Sequence, residues 1–302
     1  MEHRVPSGVP PTALGEYLPR ALPETPQWAL RQMLAQRQVK RDGLRLCASD
    51  RVGAGDVLRI YLPRAAFTLD AKSGDARYTP AIVYEDARIL VVNKPQGISS
   101  QGKDDPRDRP GLLEHLRARA MAQGENPAAL QLCHRLDVQT GGLLLLAKTP
   151  LIYATLLEAF AQHAIEKIYT CITVGTPQPR EAFAQAYLRK NAHSARVSVH
   201  ATPVPGALPI QTGYRVLQEG TLALLSVSLI TGRTHQIRAH FAFIGYPILG
   251  DDRYGDRAAN RRYGARAQRL WATGLTLHAG GLLSDLDGHA LTVPFPFVLP
   301  PN

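Results

Sequence analysis

Apolar positions divide this chain into two patterned stretches separated by a polar gap. Residues 1–13 are Pro-rich and polar and predict a flexible lead-in, with structure beginning near Leu14. Over residues 28–38, Leu30, Met33 and Leu34 recur at helical spacing. Arg31, Arg37 and then Lys40 and Arg41 lie on or beside the other faces, so the pattern predicts a basic amphipathic helix. Residues 39–43 read as a strand running into a turn, and residues 51–60 as a turn feeding an alternating strand. A compact unit over 14–62 follows from these signals. Residues 63–80 are polar and aperiodic and predict a linker.

A second domain is predicted over 81–302. Residues 82–84 and 89–93 are strand-like, and Lys94-Pro95-Gln96-Gly97 is a turn in which Pro sets φ and Gly permits a positive one; Lys94 reads as a solvated turn charge. Residues 112–122 have helical periodicity. Residues 143–147 form an unbroken aliphatic run expected of a strand buried on both faces, followed by a helix over 151–163 and a strand over 167–174. Residues 222–230 alternate as a strand, and residues 234–244 predict a helix closed by Gly245 before Pro247. Strands and helices alternate irregularly, without an internal repeat.

Composition narrows the function classes. The 302 residues carry 35 Lys and Arg against 25 Asp and Glu, a net charge of +10, which favours a polyanionic partner such as nucleic acid and also fits an anionic membrane surface. The 143–147 run is far shorter than the roughly 20 residues of a membrane span, and the opening residues lack the basic and apolar regions of a signal peptide. Three cysteines without Cys-x-x-Cys spacing argue against a disulfide framework or zinc ribbon and point to a reducing cytoplasm.

Three segments place polar groups where a fold does not need them. His134-Arg135-Leu136-Asp137, with Thr140, stands at the mouth of the 143–147 strand, a usual place for catalytic groups. Thr231-Gly232-Arg233-Thr234-His235-Gln236-Ile237-Arg238-Ala239-His240 reads as a helix capped by Thr231 or Gly232, whose first turn is rich in donors and attracts anions. Lys167 and Tyr169 share one face of their strand by the two-residue period. The five-residue spacing of His235 and His240 is not that of a helical zinc pair, so no metal is expected.

In order and spacing, these segments resemble the RluA-type pseudouridine synthases. The likeness rests on His134-Arg135-Leu136-Asp137 with Thr140 and Gly142, Lys167-x-Tyr169 leading to Gly175, and Gly232 to His240. It continues through Gly245-Tyr246-Pro247-Ile248-Leu249-Gly250-Asp251 with Tyr254-Gly255 and Leu277-His278-Ala279, and Asn93-Lys94-Pro95-x-Gly97 looks like the family's opening motif. Residues 14–62 look like the α-L RNA-binding module of the ribosomal-protein-S-four type. The resemblance implies an α+β catalytic domain with a mixed, largely antiparallel central sheet flanked by helices and loops, preceded by a small α/β module. Two departures stand out: Gly141 replaces the family's usual Ser, loosening that turn, and the module lacks its usual Arg and Asp near 14–18 and its Val-Asn-Gly turn.

The same resemblance implies isomerisation of uridine to pseudouridine in structured RNA; the N-terminal module favours large-subunit ribosomal RNA over transfer RNA, and a monomer is expected. The reaction is redox-neutral and needs no cofactor. Asp137 is the implied catalytic carboxylate, either attacking the anomeric carbon or deprotonating the sugar. Arg233 is implied as its charge partner and Tyr169 as the base over the uracil ring. Arg135 would fill the gap left by the flipped base, and Leu136 and Ile237 would form an aliphatic wall. His134, Thr140, Lys167, His235, Gln236, Arg238 and His240 are expected to bind substrate. The Arg-rich loop over 253–269, including Arg261 and Arg262, is expected to clamp RNA phosphates. A glycoside hydrolase and a non-catalytic RNA-binding protein are the rival readings.

Overall fold

The computed structural model describes residues 2–22, 30, 33–34, 37–61, 81–102, 110–191 and 196–299. The linker expected over 63–80 lies outside the described residues, as does most of the helix expected over 28–38, whose Leu30 and Met33 are buried. Contacts group the chain into two units. One comprises residues 1–79, 104–109 and 114–128; the other comprises 80–103, 110–113 and 129–302.

In the first unit a four-stranded sheet has the order β1 (Glu2–Arg4), β6 (Val57–Ile60), β3 (Val39–Arg41), β4 (Leu44–Leu46), and β2 (Thr12–Ala13) pairs with β5 (Arg51–Val52). The expected flexible lead-in is therefore corrected. Glu2 to Arg4 pair with Arg59 to Val57, and Val5 enters a core with Leu14, Leu18, Val39 and Leu58. A strand this short needs few apolar residues, which is why polar composition concealed it. Leu14, Tyr17 and Leu18 occupy the buried stripe of the helix Leu14–Ala21.

The second unit is an eleven-stranded sheet. Its strands are β7 (Ala81–Glu85), β8 (Ile89–Lys94), β9 (Gln131–Leu132), β10 (Gly141–Ala147), β11 (Ile165–Val174), β12 (Glu181–Lys190), β13 (Val197–His200), β14 (Ala207–Gln218), β15 (Leu222–Leu229), β16 (Leu270–Leu277) and β17 (Ala290–Thr292). The main path runs β13-β12-β14-β15-β11-β16-β10-β8-β7, with β17 on β16 and β9 on β10. Among the described residues β10–β16 is the only pair of named strands that runs parallel. The domain expected to run unbroken from residue 81 is interrupted, because residues 114–128 group with the first unit. At the start of the helix Leu112–Ala122, Leu112 and Leu113 donate to the Ser99 and Ser100 carbonyls.

All seven positions of β10 are buried, as its aliphatic run predicts for a strand covered on both faces. Leu143 and Leu145 pack against Ile152, Leu156 and Ala159 of the helix Pro150–Ala161. Full burial of each such aliphatic side chain is worth about 1.5–3 kcal/mol. That helix starts where it does because Thr149 Oγ1 accepts the Ile152 N–H at 3.2 Å and Pro150 takes a position where no N–H is required. Among the described residues no helix is long and apolar enough to cross a membrane, and no three His, Cys, Asp or Glu side chains converge as a metal site requires.

Candidate active site

A cavity of about 1270 Å³ opens in the second unit where three segments meet: the loop between β9 and β10, the outward end of β11, and the turn leading into the helix Gln236–Phe243. The first segment is tightly tied. Leu136 donates its N–H to Ser100 Oγ at 2.9 Å and accepts that hydroxyl at its carbonyl at 2.8 Å. Gly97 N–H donates to the Val138 carbonyl at 2.8 Å, Gln96 Nε2 to the Gln139 carbonyl at 2.6 Å, and Thr140 N–H closes the turn onto the Asp137 carbonyl at 3.0 Å. These bonds fix the backbone that carries Asp137.

Lys94 belongs to the same brace, which corrects its reading as a solvated turn charge. It is fully buried, and its Nζ donates to the carbonyls of Pro95 at 2.9 Å, Ile98 at 2.8 Å and Val138 at 3.4 Å. Burial pulls its pKa down to about 7, opposed by the Asp137 charge. The three carbonyls match the three donors of an ammonium, a pairing that only the folded turn creates.

Gly141 carries the departure from the family pattern, and the structure supplies its reason. A Cβ there would stand 2.2–2.5 Å from the Trp271 ring, which faces it across the parallel β10–β16 pair. The turn before it is closed by its hydrogen bond and is not loose.

Asp137 is half-buried, and its Oδ2 accepts Arg238 Nη1 at 2.8 Å. The charge partner is thus Arg238, not Arg233. Helical geometry begins at Gln236, so Arg238 leaves the first turn facing inward. Arg233, still in the preceding turn, is exposed on the cavity wall. The expected cap is also corrected. His235 occupies the N-cap position, and Gln236 Oε1 holds the turn by accepting the Arg233 N–H and the Thr231 hydroxyl.

Arg238 is itself clamped. Its Nε and Nη2 fork onto Asp251 at 2.6 and 3.1 Å, Nη2 also reaches Asp252 at 3.4 Å, and its guanidinium lies over the Tyr254 ring at 5.4 Å. Burial alone would lower its pKa, but Asp251 and Asp137 outweigh that and raise it. For Asp251 burial favours the neutral acid, yet Arg238 and the N–H groups of Tyr254 and Arg253 hold it ionised. A planar fork uses two faces on one carboxylate and keeps Nη1 for the other, which an ammonium could not do with this geometry.

Tyr169 lies on β11 beside a register shift against β16, where Ile168 faces Gly274 but Tyr169 faces Ala272. Such a bulge re-aims the side chain. Tyr169 and Lys167 both line the cavity. Burial, with the Asp137 charge, pushes the Tyr169 phenol up, so it is neutral; burial lowers Lys167, whose Nζ sits 5.2 Å over the Phe160 ring.

Of the other expected substrate contacts, His134, Arg135, Leu136, Thr140, His235, Gln236 and Ile237 line the cavity. Several are occupied internally. His134 Nε2 accepts the Leu145 N–H at 3.0 Å, and burial with Lys167 nearby lowers its pKa to about 3. Thr140 Oγ1 accepts Gln268 Nε2, and the Gln236 amide also donates to the Gln211 carbonyl and Thr212 Oγ1. Three expectations fall away from the cavity lining. His240 is a core residue facing Thr212 Oγ1 at 3.0 Å, because the inward side of its helix is the packed side. Arg261 and Arg262 do not line it either. They end a short helix, Arg257–Arg262, capped by Asp256, where an extended loop was expected; like charges there point into solvent from helical turns. Asp251 and Tyr254 stood in the matched motifs, but nothing local in the sequence marked their partners.

Residues 88–243 match the family model described as RNA pseudouridylate synthase. Over 281 residues, 89% of this chain and 83% of the relative, the chain is 31% identical to ribosomal large subunit pseudouridine synthase C of Vibrio parahaemolyticus serotype O3:K6. The chain belongs to the RNA pseudouridylate synthase family. The protein of the same name from Escherichia coli K12 is 32% identical over 280 residues, covering 89% of this chain and 83% of that protein. Among solved structures, human RNA pseudouridylate synthase domain containing 1 superposes with a TM-score of 0.59 at 23% identity, over 73% of this chain and 85% of that one. Human RNA pseudouridylate synthase domain containing 4 gives 0.58 at 24%, over 72% and 88%. At that identity the two structures establish the shared fold. The protein is an RNA pseudouridine synthase, an isomerase, and the cavity built around Asp137 falls within the matched family region for all but its rim residues Asp252, Arg253 and Leu270.

Proposed function

We propose that this enzyme isomerises uridine in large-subunit ribosomal RNA, with Asp137 as its catalytic carboxylate and no cofactor. The RNA class is taken from the names of the relatives. The observation that carries the residue assignment is the Arg238–Asp137 hydrogen bond inside a cavity that also holds Tyr169. A carboxylate held by a guanidinium through one oxygen keeps the other open to the cavity, available either to attack C1′ or to start cleavage by deprotonating the sugar.

The bond from C1′ to N1 breaks, the uracil turns, and a bond from C1′ to C5 forms. The proton on C5 then leaves and N1 ends protonated, so atoms and electrons balance without an oxidant or reductant. Tyr169 stacks on the ring and its oxygen takes the C5 proton as its own proton passes on; Asp137, to which the phenol is electrostatically coupled, is the acceptor close by. Arg135, exposed on the wall, fills the gap left by the flipped base, and Arg233 on the wall and Arg253 at the rim face the phosphates of the flipped strand. Asp251, the other carboxylate of the motifs, is committed to Arg238, which leaves Asp137 as the reacting one.

Asp137→Asn keeps shape and volume and is expected to abolish tritium release from ribosomal RNA labelled at uridine C5, with RNA binding and melting temperature nearly unchanged. Turnover near the wild-type rate would remove Asp137 from the mechanism. Mapping pseudouridine in total RNA with and without the enzyme tests the RNA class, and release of free uracil would instead indicate glycoside cleavage.

A further inference from the structure

Arg238 occupies only one oxygen of Asp137. The other, Oδ1, faces His235, whose Nε2 lies 3.8 Å away. His235 stands at φ 54° and ψ 20°, a left-handed conformation that a residue with a Cβ seldom adopts and that clusters at functional sites. It is the N-cap of the helix that carries Arg238, so both partners of the carboxylate leave the same turn.

The second nitrogen of the ring is also engaged. Nδ1 is 3.0 Å from Tyr254 Oη, and that oxygen accepts the Val197 N–H at 3.0 Å. Because Val197 can only donate, the phenol's own proton is directed to Nδ1. Nδ1 then accepts, and the single proton of the neutral imidazole sits on Nε2, aimed at Asp137. In the opposite tautomer two N–H donors would crowd one phenol oxygen, and the phenol proton would lose this acceptor. Tyr254 is itself placed by Asp251, whose Oδ1 accepts the N–H groups of Arg253 and Tyr254 at 2.8 and 2.9 Å. One carboxylate therefore anchors both supports of Asp137: Arg238 directly, and His235 through Tyr254.

Resting on the reading of Asp137 as the catalytic carboxylate, we infer that His235 is a positioning residue: Tyr254 holds it as the Nε2–H tautomer, and this N–H closes on Asp137 Oδ1 when RNA fills the cavity. The 3.8 Å separation is about 1 Å longer than a hydrogen bond, and catalytic contacts of this kind commonly tighten on substrate binding. His235 keeps its proton throughout, so no step of the isomerisation passes through it. The groups facing the ring are Asp137, Asp251, Arg238, Arg253 and Tyr254. Burial, with Arg238 and Arg253, keeps the ring neutral against the pull of the two carboxylates. Acid would place a second proton on Nδ1 and break the bond donated by Tyr254.

The test uses the full-length enzyme and a transcript of large-subunit ribosomal RNA tritiated at uridine C5, with kcat and KM followed against pH. Tyr254→Phe is expected to lower kcat about tenfold, leave KM within about twofold, and move the acid limb of kcat to higher pH, because Nδ1 has lost the donor that favours the neutral ring. His235→Gln, which keeps a non-titrating N–H donor, is expected to stay within about tenfold of wild type and to lose that limb, whereas His235→Ala falls at least a hundredfold. A Tyr254→Phe enzyme with the wild-type kcat and pH profile, or one slowed equally at every pH, overturns the inference. So does His235→Gln falling as far as His235→Ala. Nitrogen-15 NMR of histidine-labelled wild-type enzyme, with the His235 signals assigned by their loss in His235→Gln, reads the tautomer without relying on a variant's folding; a proton on Nδ1 overturns the proposal. An active Asp137→Asn enzyme would remove the underlying reading, while an inactive one beside an unaltered Tyr254→Phe removes this inference alone.

Discussion

On the outer face of the N-terminal sheet Arg59 stands opposite Lys40, and Lys40 opposite Arg45, with Glu2 at one end of the row. In the cavity of the second unit Arg238 is almost wholly enclosed and shared among Asp251, Asp137 and Asp252. The first group keeps its charge in water, where neighbouring cations repel by a few tenths of a kcal/mol and salt screens them. The second has lost its water, and each charge there is held in place by an opposite one whose removal is costly. Basic residues of equal standing in the sequence thus end in two electrostatic settings: a solvated charge that salt screens, and a buried one fixed among carboxylates.

The sharpest way to break this contrast is to compare two arginines five residues apart. Arg238→Ala strands Asp251, which is 1% exposed, and is expected to cost about 3–5 kcal/mol of stability and about a thousandfold in kcat. Arg233→Ala removes an exposed side chain and is expected to keep activity within about tenfold and the melting temperature unchanged. Thermal unfolding and tritium release check both; equal losses would show that burial does not separate the two.

Next in size is Gly141→Ser. Its Cβ would press on the Trp271 ring, so overpacking of about 1–3 kcal/mol is expected as a lower urea midpoint. Combining it with Trp271→Leu is expected to recover most of the loss, and failure to do so would place the strain elsewhere.

A smaller effect concerns the enclosed histidines. Burial, with Lys167 nearby, lowers the His134 pKa to about 3, and burial lowers that of His240 to about 4, below the ordinary value of about 6.5. Between 6.5 and those values the unfolded chain binds protons that the folded chain refuses, so stability is expected to fall as pH drops from 6.5 towards 4. His240→Asn, which keeps an acceptor or donor for Thr212 without titrating, is expected to flatten that fall. A urea midpoint equally sensitive to acid in the variant would remove His240 from the account.

The smallest expected effect lies at the solvated end of the comparison. Replacing Arg261 and Arg262 together by Ala is expected to reduce the slope of log affinity against log salt by about 0.7–0.9 per lost phosphate contact, with kcat at saturating RNA unchanged. An unaltered slope would show that these two cations face solvent only.

Much of the second unit was legible because its local patterns are strong. An unbroken aliphatic run became β10, and the two-residue period put Lys167 and Tyr169 on one cavity-facing side of β11. The motif around Asp137 lies at the cavity. Less was legible where composition misled: residues 2–4 form a paired strand despite their polarity, and half of the cationic segment 253–269 is helical or packed.

Periodicity and motif spacing by themselves determined which side chains turn inward and which segments carry ionisable groups, because both are set by backbone geometry within a few residues. Tertiary structure alone decided the partners. Arg238 meets Asp137 from 101 residues away, Lys94 reaches the Val138 carbonyl across 44, and Tyr254 meets His235 across 19. Two arginines of one motif differ only in whether they fall before or within the first helical turn, and the sheet that brings the turn up to the β9–β10 loop selects one of them. Such choices depend on the register of strands far apart in the chain and on the desolvation that packing imposes, and neither is written at any single position.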